Sequence, residues 1–307
     1  MNEITLITSY FNISRDNWHH FTRNDDKYLS YFKHWARLQN HLIIYTSPHI
    51  ADAVMDIRKS FHLETRTTVI PIKEDIYSIQ PKLYSAIKST MQNKTSWRFH
   101  KKLDHPEAWN YNYNYLTGIK PYWVQDAVTR KLTTGFSAWI DFGYDHGGED
   151  FPASSDFDFL WCPQLEPRIH IALENPLDDL PIFEVVRSMK VYMRGNLIMA
   201  PDTLWPWFWK NSAESILSLA ECGMADDDQT IELMAYRRRP DLFKTYLTTY
   251  WGELLWLSNQ DRLHPAPKKK INQKSIDKRF KKWVKTHQEQ WDIRRRKGQD
   301  IANKYFK

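Results

Sequence analysis

The chain has 307 residues, long for one domain and short for two large ones, and 42% are apolar or aromatic, enough for a sizeable core. Two cysteines, Cys162 and Cys222, argue against a disulfide framework and for a reducing compartment, and no apolar run reaches the ~18 residues that a membrane-spanning helix requires. The net charge of +6 averages two unlike parts: residues 268–307 carry 15 Lys+Arg against 4 Asp+Glu, or +11, while residues 1–267 carry 28 against 33, or −5.

The opening MNEITLITSYF has no basic region ahead of an apolar one, so it reads as a strand rather than a signal peptide. Residues 4–11 form that first strand and bring Thr8, Ser9 and Tyr10 to its C-terminal edge, where ligands bind in open α/β sheets. Leu29, Phe32, Trp35 and Ala36 stand at helical spacing in residues 26–39. A buried-type strand (41–47), a helix (51–61) and a third strand stopped by Pro71 (67–72) follow. Strand and helix in alternation imply a parallel α/β sheet with right-handed crossovers.

A helix is expected after Pro81, then a polar, aromatic loop near a site in WRFHKKLDHPEAWNYNYNYL (97–116). Residues 118–132 read as a helix, and FSAWIDFGYDHGG (136–148) as a buried strand running into an acidic, Gly-rich turn. Further strands are expected at 169–175, 185–193 and 196–201, and helices at 206–223 and from 226. Residues 242–255 are apolar enough to pack on the body. HPAPKKK (264–270) marks a boundary before a helix-compatible basic tail, so the expected domains are 1–267 and 268–307.

Three local patterns bear on chemistry. WIDFGYD (139–145) places Asp141 at the end of a buried strand, where a carboxylate can help hold Mn²⁺ or Mg²⁺ against a diphosphate, with Asp145 and His146 as further ligands; an Asp capping a turn before Gly143 is the bland alternative. ADDDQT (225–230) packs three carboxylates together. Asp227 or Asp228 suits a general base, with Gln229 positioning an acceptor, although acids also favour a helix N-terminus for its dipole alone. RGN (194–196), between two strand-like runs, offers Gly195 for close approach of a ligand and Arg194 for a phosphate, or is an ordinary hairpin turn. Lys120 is placed to face a diphosphate, and Thr8, Ser9, Tyr10 and Arg15 to meet a nucleotide. The P-loop, the dinucleotide fingerprint, paired-Cys motifs, H-E-x-x-H and G-x-S-x-G are all missing from the sequence.

ITLITSYFNISRDNW, YLSYFKHWARLQNHLIIYTS, NYNYLTGIKPYWVQDAV, AWIDFGYDH, RGNLIMAP and DDDQTIELMAYRRRPDLF occur in an order that resembles the HtrL/YibB-like family of bacterial proteins, which looks like a branch of the GT-A glycosyltransferases. The resemblance covers residues 3–250 or so. It implies a GT-A-like fold, with a mixed, mainly parallel sheet flanked by helices. It also implies transfer of a hexose, galactose for instance, from a UDP-sugar to a saccharide or lipid-linked saccharide in lipopolysaccharide or surface-glycan assembly.

In that comparison WIDFGY stands where GT-A enzymes carry a DXD-type metal motif. Asp141 is followed by Phe142 and Gly143, so the second Asp is missing, and either Asp145, His146 or a later residue such as His264 completes the shell or metal dependence is weak. Asp228 and Gln229 resemble a late acidic motif that meets the acceptor. A cytoplasmic protein, or one peripheral on the inner face of the cytoplasmic membrane, fits this reading. Phe280, Trp283 and Trp291 lie among three basic clusters of the tail, a pattern suited to an anionic leaflet. Two rivals stand beside it: a non-catalytic glycan- or nucleotide-binding protein, and nucleic-acid binding through the tail, which the acidic body disfavours.

Overall fold

The computed structural model describes residues 3–18, 21–93, 99–152, 155–257, 259 and 262–263. His264 and the whole basic tail, 268–307, lie outside the described residues, as do the expectations that concern them.

The first half alternates as expected: β1 (Thr5–Tyr10), α1 (Asp25–Trp35), β2 (Leu42–Thr46), α2 (Pro48–Lys59), β3 (Thr67–Pro71) and α3 (Pro81–Gln92). The Asn24 side chain accepts from the Lys27 N–H to cap α1, and a proline opens both α2 and α3, where its missing N–H leaves no bond unmade. Then come α4 (Pro106–Trp109), α5 (Tyr111–Gly118), α6 (Lys120–Thr129) and β4 (Phe136–Ile140). The second half holds β5 (Ile169–Leu173), α7 (Ile182–Ser188), β6 (Met193–Pro201), α8 (Trp205–Glu221), α9 (Asp228–Arg238), β7 (Phe243–Leu247) and α10 (Glu253–Leu257).

The strands form one seven-stranded sheet in the order β3-β2-β1-β4-β6-β5-β7. All neighbours are parallel except the two pairings of β6, which runs antiparallel to both β4 and β5. The fold is thus α/β with a mixed, mainly parallel sheet flanked by helices. Side chains alternate across it: Ile7, Ile43, Tyr45 and Trp139 join one apolar cluster, and Leu6, Leu42, Ile44 and Ile140 the other. With both faces covered, the central strands carry no polar face, and β2 is buried at every position.

Three expectations need correction. Residues 185–193 are not a strand: Val185 and Val186 lie on the buried face of α7, which Met189 ends in the left-handed conformation at φ 52°. The tertiary contact overrides the β-branched preference. The second half of 97–116 is helical, because Asn110 accepts from the Tyr113 N–H to cap α5, and Tyr115 and Asn114 are buried. Arg194-Gly195-Asn196 is no hairpin turn but part of β6 itself. Ile171 pairs with Ile198 while Ala172 pairs with Arg194, so Gly195, Asn196 and Leu197 bulge away from β5. The apolar run 242–255 packs on the body as expected, through Phe243, Tyr250, Leu254 and Leu255, and also supplies the edge strand β7.

Candidate active site

β4 ends at Ile140, and Asp141 leaves the sheet at the edge where β1, β2 and β4 terminate and antiparallel β6 begins. The Asp141 N–H donates to Asn196 O at 2.9 Å, extending the β4–β6 pairing one residue and fixing the backbone there. Its Oδ1 accepts from Trp139 Nε1 at 2.7 Å and pairs with Lys120 Nζ at 2.9 Å. The side chain is 33% exposed, open to a ligand.

Lys120 is the centre of the site. It opens α6, where the positive end of the helix dipole disfavours a cation. It is nevertheless buried there, because its ammonium reaches Asp141 Oδ1, donates to Asp228 Oδ2 at 2.7 Å and donates to Gly195 O at 3.2 Å. Two hydrogen bonds and an ion pair thus hold the ammonium. Burial lowers the Lys120 pKa, but the Asp141, Asp228 and Glu232 carboxylates outweigh it and hold the group well above its ordinary value.

Asp228 begins α9 behind Asp227, whose side chain accepts from the Gln229 N–H at 3.1 Å as the N-cap. Glu232 follows one turn later on the same face, fully buried, with neither carboxylate oxygen hydrogen-bonded among the described residues. Sequence reasoning missed it, although the i, i+4 spacing from Asp228 was there to read. Both acids press against Gly195: a Cβ at that position would collide with Asp228 Oδ2 and Glu232 Oε1. Glycine is required by the close approach of two carboxylates to the β6 backbone, not by a turn.

Crowding and burial govern the protonation of these acids. Burial, then the Asp228 charge, pushes Asp227 and Glu232 well above the usual carboxylate range. Asp226 is raised to about 7 by burial, against the lowering effect of the hydrogen bond it accepts from Thr230 Oγ1 at 2.7 Å. Burial raises Asp228 too, with Lys120 opposing. Burial and crowding therefore disfavour the ionised forms of Asp227 and Glu232, while the Lys120 ammonium favours the ionised form of Asp228.

Asp141, Asp227, Asp228, Gln229, Lys120 and Gly195 line one cleft of ≈ 500 Å³ together with Ser9, Tyr10, Arg15, Asp145 and His146. Two expected residues face elsewhere. Thr8 is buried within β1, and Arg194 is buried beside Glu174 at 3.7 Å and over the Trp251 ring at 5.1 Å. Tyr10 turns its hydroxyl to Asp25 at 2.6 Å and stacks on Phe142.

The expected metal ligands do not fit a metal as a set. Asp145 Oδ1 accepts from the Asp150 and Phe151 N–H groups at 2.6 and 2.9 Å, and its Oδ2 meets His34 Nδ1 at 2.8 Å. Both oxygens pin the loop that closes over α1. His146 sits between Glu149 Oε2 at 3.0 Å and Arg23 Nη1 at 3.3 Å. Asp141 shares its Oδ1 with an ammonium and an indole. Among the described residues, no three His, Cys, Asp or Glu side chains converge as metal ligands.

The ordered motifs that frame this cleft span a match to the family described as "Bacterial protein of unknown function (HtrL_YibB)", over residues 2–257. The chain belongs to the HtrL/YibB family. Its similarity to Protein HtrL of Escherichia coli (strain K12) is 31% identity over 264 residues, 82% of this chain and 89% of that one. Two solved structures share a looser likeness. The PaToxG glycosyltransferase aligns at 10% identity over 78% of this chain and 70% of its own, with a TM-score of 0.37. Mouse xyloside xylosyltransferase 1, in its apo form, aligns at 12% identity over 83% and 91%, with a TM-score of 0.38. No helix among the described residues is long and apolar enough to cross a membrane.

Proposed function

We propose that this member of the HtrL/YibB family is a sugar-nucleotide-dependent glycosyltransferase. The observation that carries the reading is the cleft that opens at the C-terminal edge of β1 and β4 and is lined both by Asp141 and by the Asp227–Asp228 pair. A carboxylate at the strand edge meets the ribose or sugar hydroxyls of a donor. A second acidic group across the cleft meets the acceptor. Tyr10, Trp139 and Tyr113 add aromatic faces suited to sugar and base rings. The resemblance to GT-A enzymes in the ordered motifs supports the same assignment.

In the proposed reaction an acceptor hydroxyl attacks the anomeric carbon of the donor. The new C–O bond forms as the bond from that carbon to the diphosphate breaks, and the electron pair leaves on the diphosphate. Asp228, whose ionised form the ammonium 2.7 Å away favours against burial, takes the hydroxyl proton. Asp227, whose protonated form burial and the Asp228 charge favour, donates to a neighbouring sugar oxygen, and Gln229 helps to orient the acceptor. A UDP-hexose donor, with galactose as the example, and a saccharide or lipid-linked saccharide of surface-glycan assembly follow from the family resemblance. A lipid-linked acceptor suits a basic segment of net +11 at 268–307, which would rest on an anionic membrane as a unit distinct from the catalytic residues 1–267.

The test is a panel of UDP- and GDP-sugars, read as release of nucleoside diphosphate with and without saccharide acceptors. Release is expected from one donor, and both Asp228→Asn and Asp141→Asn should lower it by ~100-fold or more, as loss of a catalytic acid–base or substrate-charge contact does. Binding of a donor without turnover would replace the transferase by a sugar-nucleotide-binding protein. No binding by any member of the panel would end the reading.

A further inference from the structure

We infer that this site handles the donor diphosphate with guanidinium groups of its own chain, Arg15 and Arg23, and not with a divalent cation. The inference rests on the transferase reading and deepens it.

The argument is one of charge partners. A diphosphate leaving group needs positive charge beside it, and the cleft offers only certain sources. Lys120, the cation nearest the acids, is ion-paired with Asp141 and Asp228 and donates to Gly195 O, so its charge is already balanced by carboxylates. Asp145 and His146, the remaining metal-ligand candidates among the described residues, are held by His34, backbone N–H groups, Glu149 and Arg23. Lys120 thus stands where a metal bridging Asp141 to the second acidic group would have to sit.

The two arginines differ from it. Both line the cleft, and neither has a carboxylate within ion-pair distance among the described residues. Arg15 lies over the Trp18 ring at 4.6 Å and donates to Tyr28 Oη and, at 3.3 Å, to Phe21 O, and its buried Nε–H has no partner among the described residues. Arg23 lies 5.5 Å from the Tyr31 ring centre and 5.9 Å from that of Tyr28. Tyr28 in turn borders Gly143, two residues past Asp141: a Cβ there would lie 3.3 Å from its ring. The aromatic ledge therefore holds two guanidinium planes beside the loop that follows Asp141. Each guanidinium carries five N–H groups, more than these contacts use, and its planar fork suits bidentate contact with phosphate oxygens. As the anomeric C–O bond breaks, the negative charge that appears on the diphosphate faces Arg15 and Arg23, while the acceptor proton goes to Asp228.

Calorimetry with UDP and GDP tests this, using the full-length protein. The nucleotide that binds should do so with the same Kd, within ~3-fold, in EDTA and in millimolar Mn²⁺ or Mg²⁺. Arg23→Gln should weaken it by ~10-fold or more, and Arg23→Lys by less, since charge survives and the fork does not. Circular dichroism of Arg23→Gln should match the wild type, because the side chain is partly exposed and has no buried carboxylate to strand. Binding lost in EDTA and restored by Mn²⁺ would overturn the inference and leave the transferase reading standing. Unchanged affinity in Arg23→Gln would also overturn it. Failure of both nucleotides in both conditions would overturn the two together.

Discussion

Replacement of Lys120 by Met probes the centre of the site most directly. The ammonium makes contacts of 2.9, 2.7 and 3.2 Å with Asp141, Asp228 and Gly195 O. Met fills most of its volume, so the perturbation is mainly of charge. Removing one partner of a buried ion pair typically costs ~3–5 kcal/mol. Two unit charges ~4 Å apart at an effective dielectric constant of 20 repel by ~4 kcal/mol, a similar figure, so Asp141 and Asp228 cannot both stay ionised at no cost.

The variant escapes by protonating Asp228, which makes the loss depend on pH. A carboxyl whose folded-state pKa is raised contributes stability below its unfolded value and loses it as pH rises through the folded value. Burial already raises Asp228, and without Lys120 the rise is larger. Urea unfolding followed by tryptophan fluorescence should therefore show a loss of ~3–5 kcal/mol at pH 8 that shrinks to ~1–2 kcal/mol at pH 5. Lys120→Met combined with Asp228→Asn should recover part of the loss, with a coupling of ~1–3 kcal/mol in the double-mutant cycle. A loss under ~1 kcal/mol that is the same at both pH values would refute Lys120 as the counter-ion of the cluster.

Three other substitutions test separate parts of the arrangement. Asp226→Asn should flatten the pH dependence of stability between the unfolded value near 4 and about 7, where Asp226 titrates. The wild type should lose stability over that window as pH rises and the variant should lose less, gaining up to on the order of 4 kcal/mol at pH 8 in a denaturation series. Gly195→Ala should cost ~1–3 kcal/mol through the collision of its Cβ with Asp228 and Glu232, and should lower donor turnover as those carboxylates shift. Asp145→Ala should lower the melting temperature, because it strands two backbone N–H groups and His34, each worth ~1–3 kcal/mol when left buried and unpaired. That loss should be equal in EDTA and in Mn²⁺, whereas a loss seen only with Mn²⁺ would return Asp145 to the role of a ligand.

The sheet was largely legible in the sequence because hydrophobic period and turn chemistry are local signals. ITLITSYF, HLIIYTS and TTVIPI, separated by helical periods, set β1, β2 and β3 with their crossovers, and the buried WID set β4 with Asp141 at its end. The acids at 226–228 stood out as a like-charged run ahead of a helix. What the sequence determined by itself was therefore the parallel half of the fold and the residues that frame its edge. The second half depended on tertiary contact: Val185 and Val186 became helical on a buried face, and Gly195 became part of a bulged strand. Partnership was likewise decided in three dimensions. Lys120 pairs with Asp228 across 108 positions of sequence, and the Asp145 carboxylate, at the cleft wall, was taken up by His34 and backbone N–H groups. Glu232 gained its place only when α9 packed on β6. Which charges neutralise one another depends on distance and burial, and a linear sequence specifies neither until the sheet has closed.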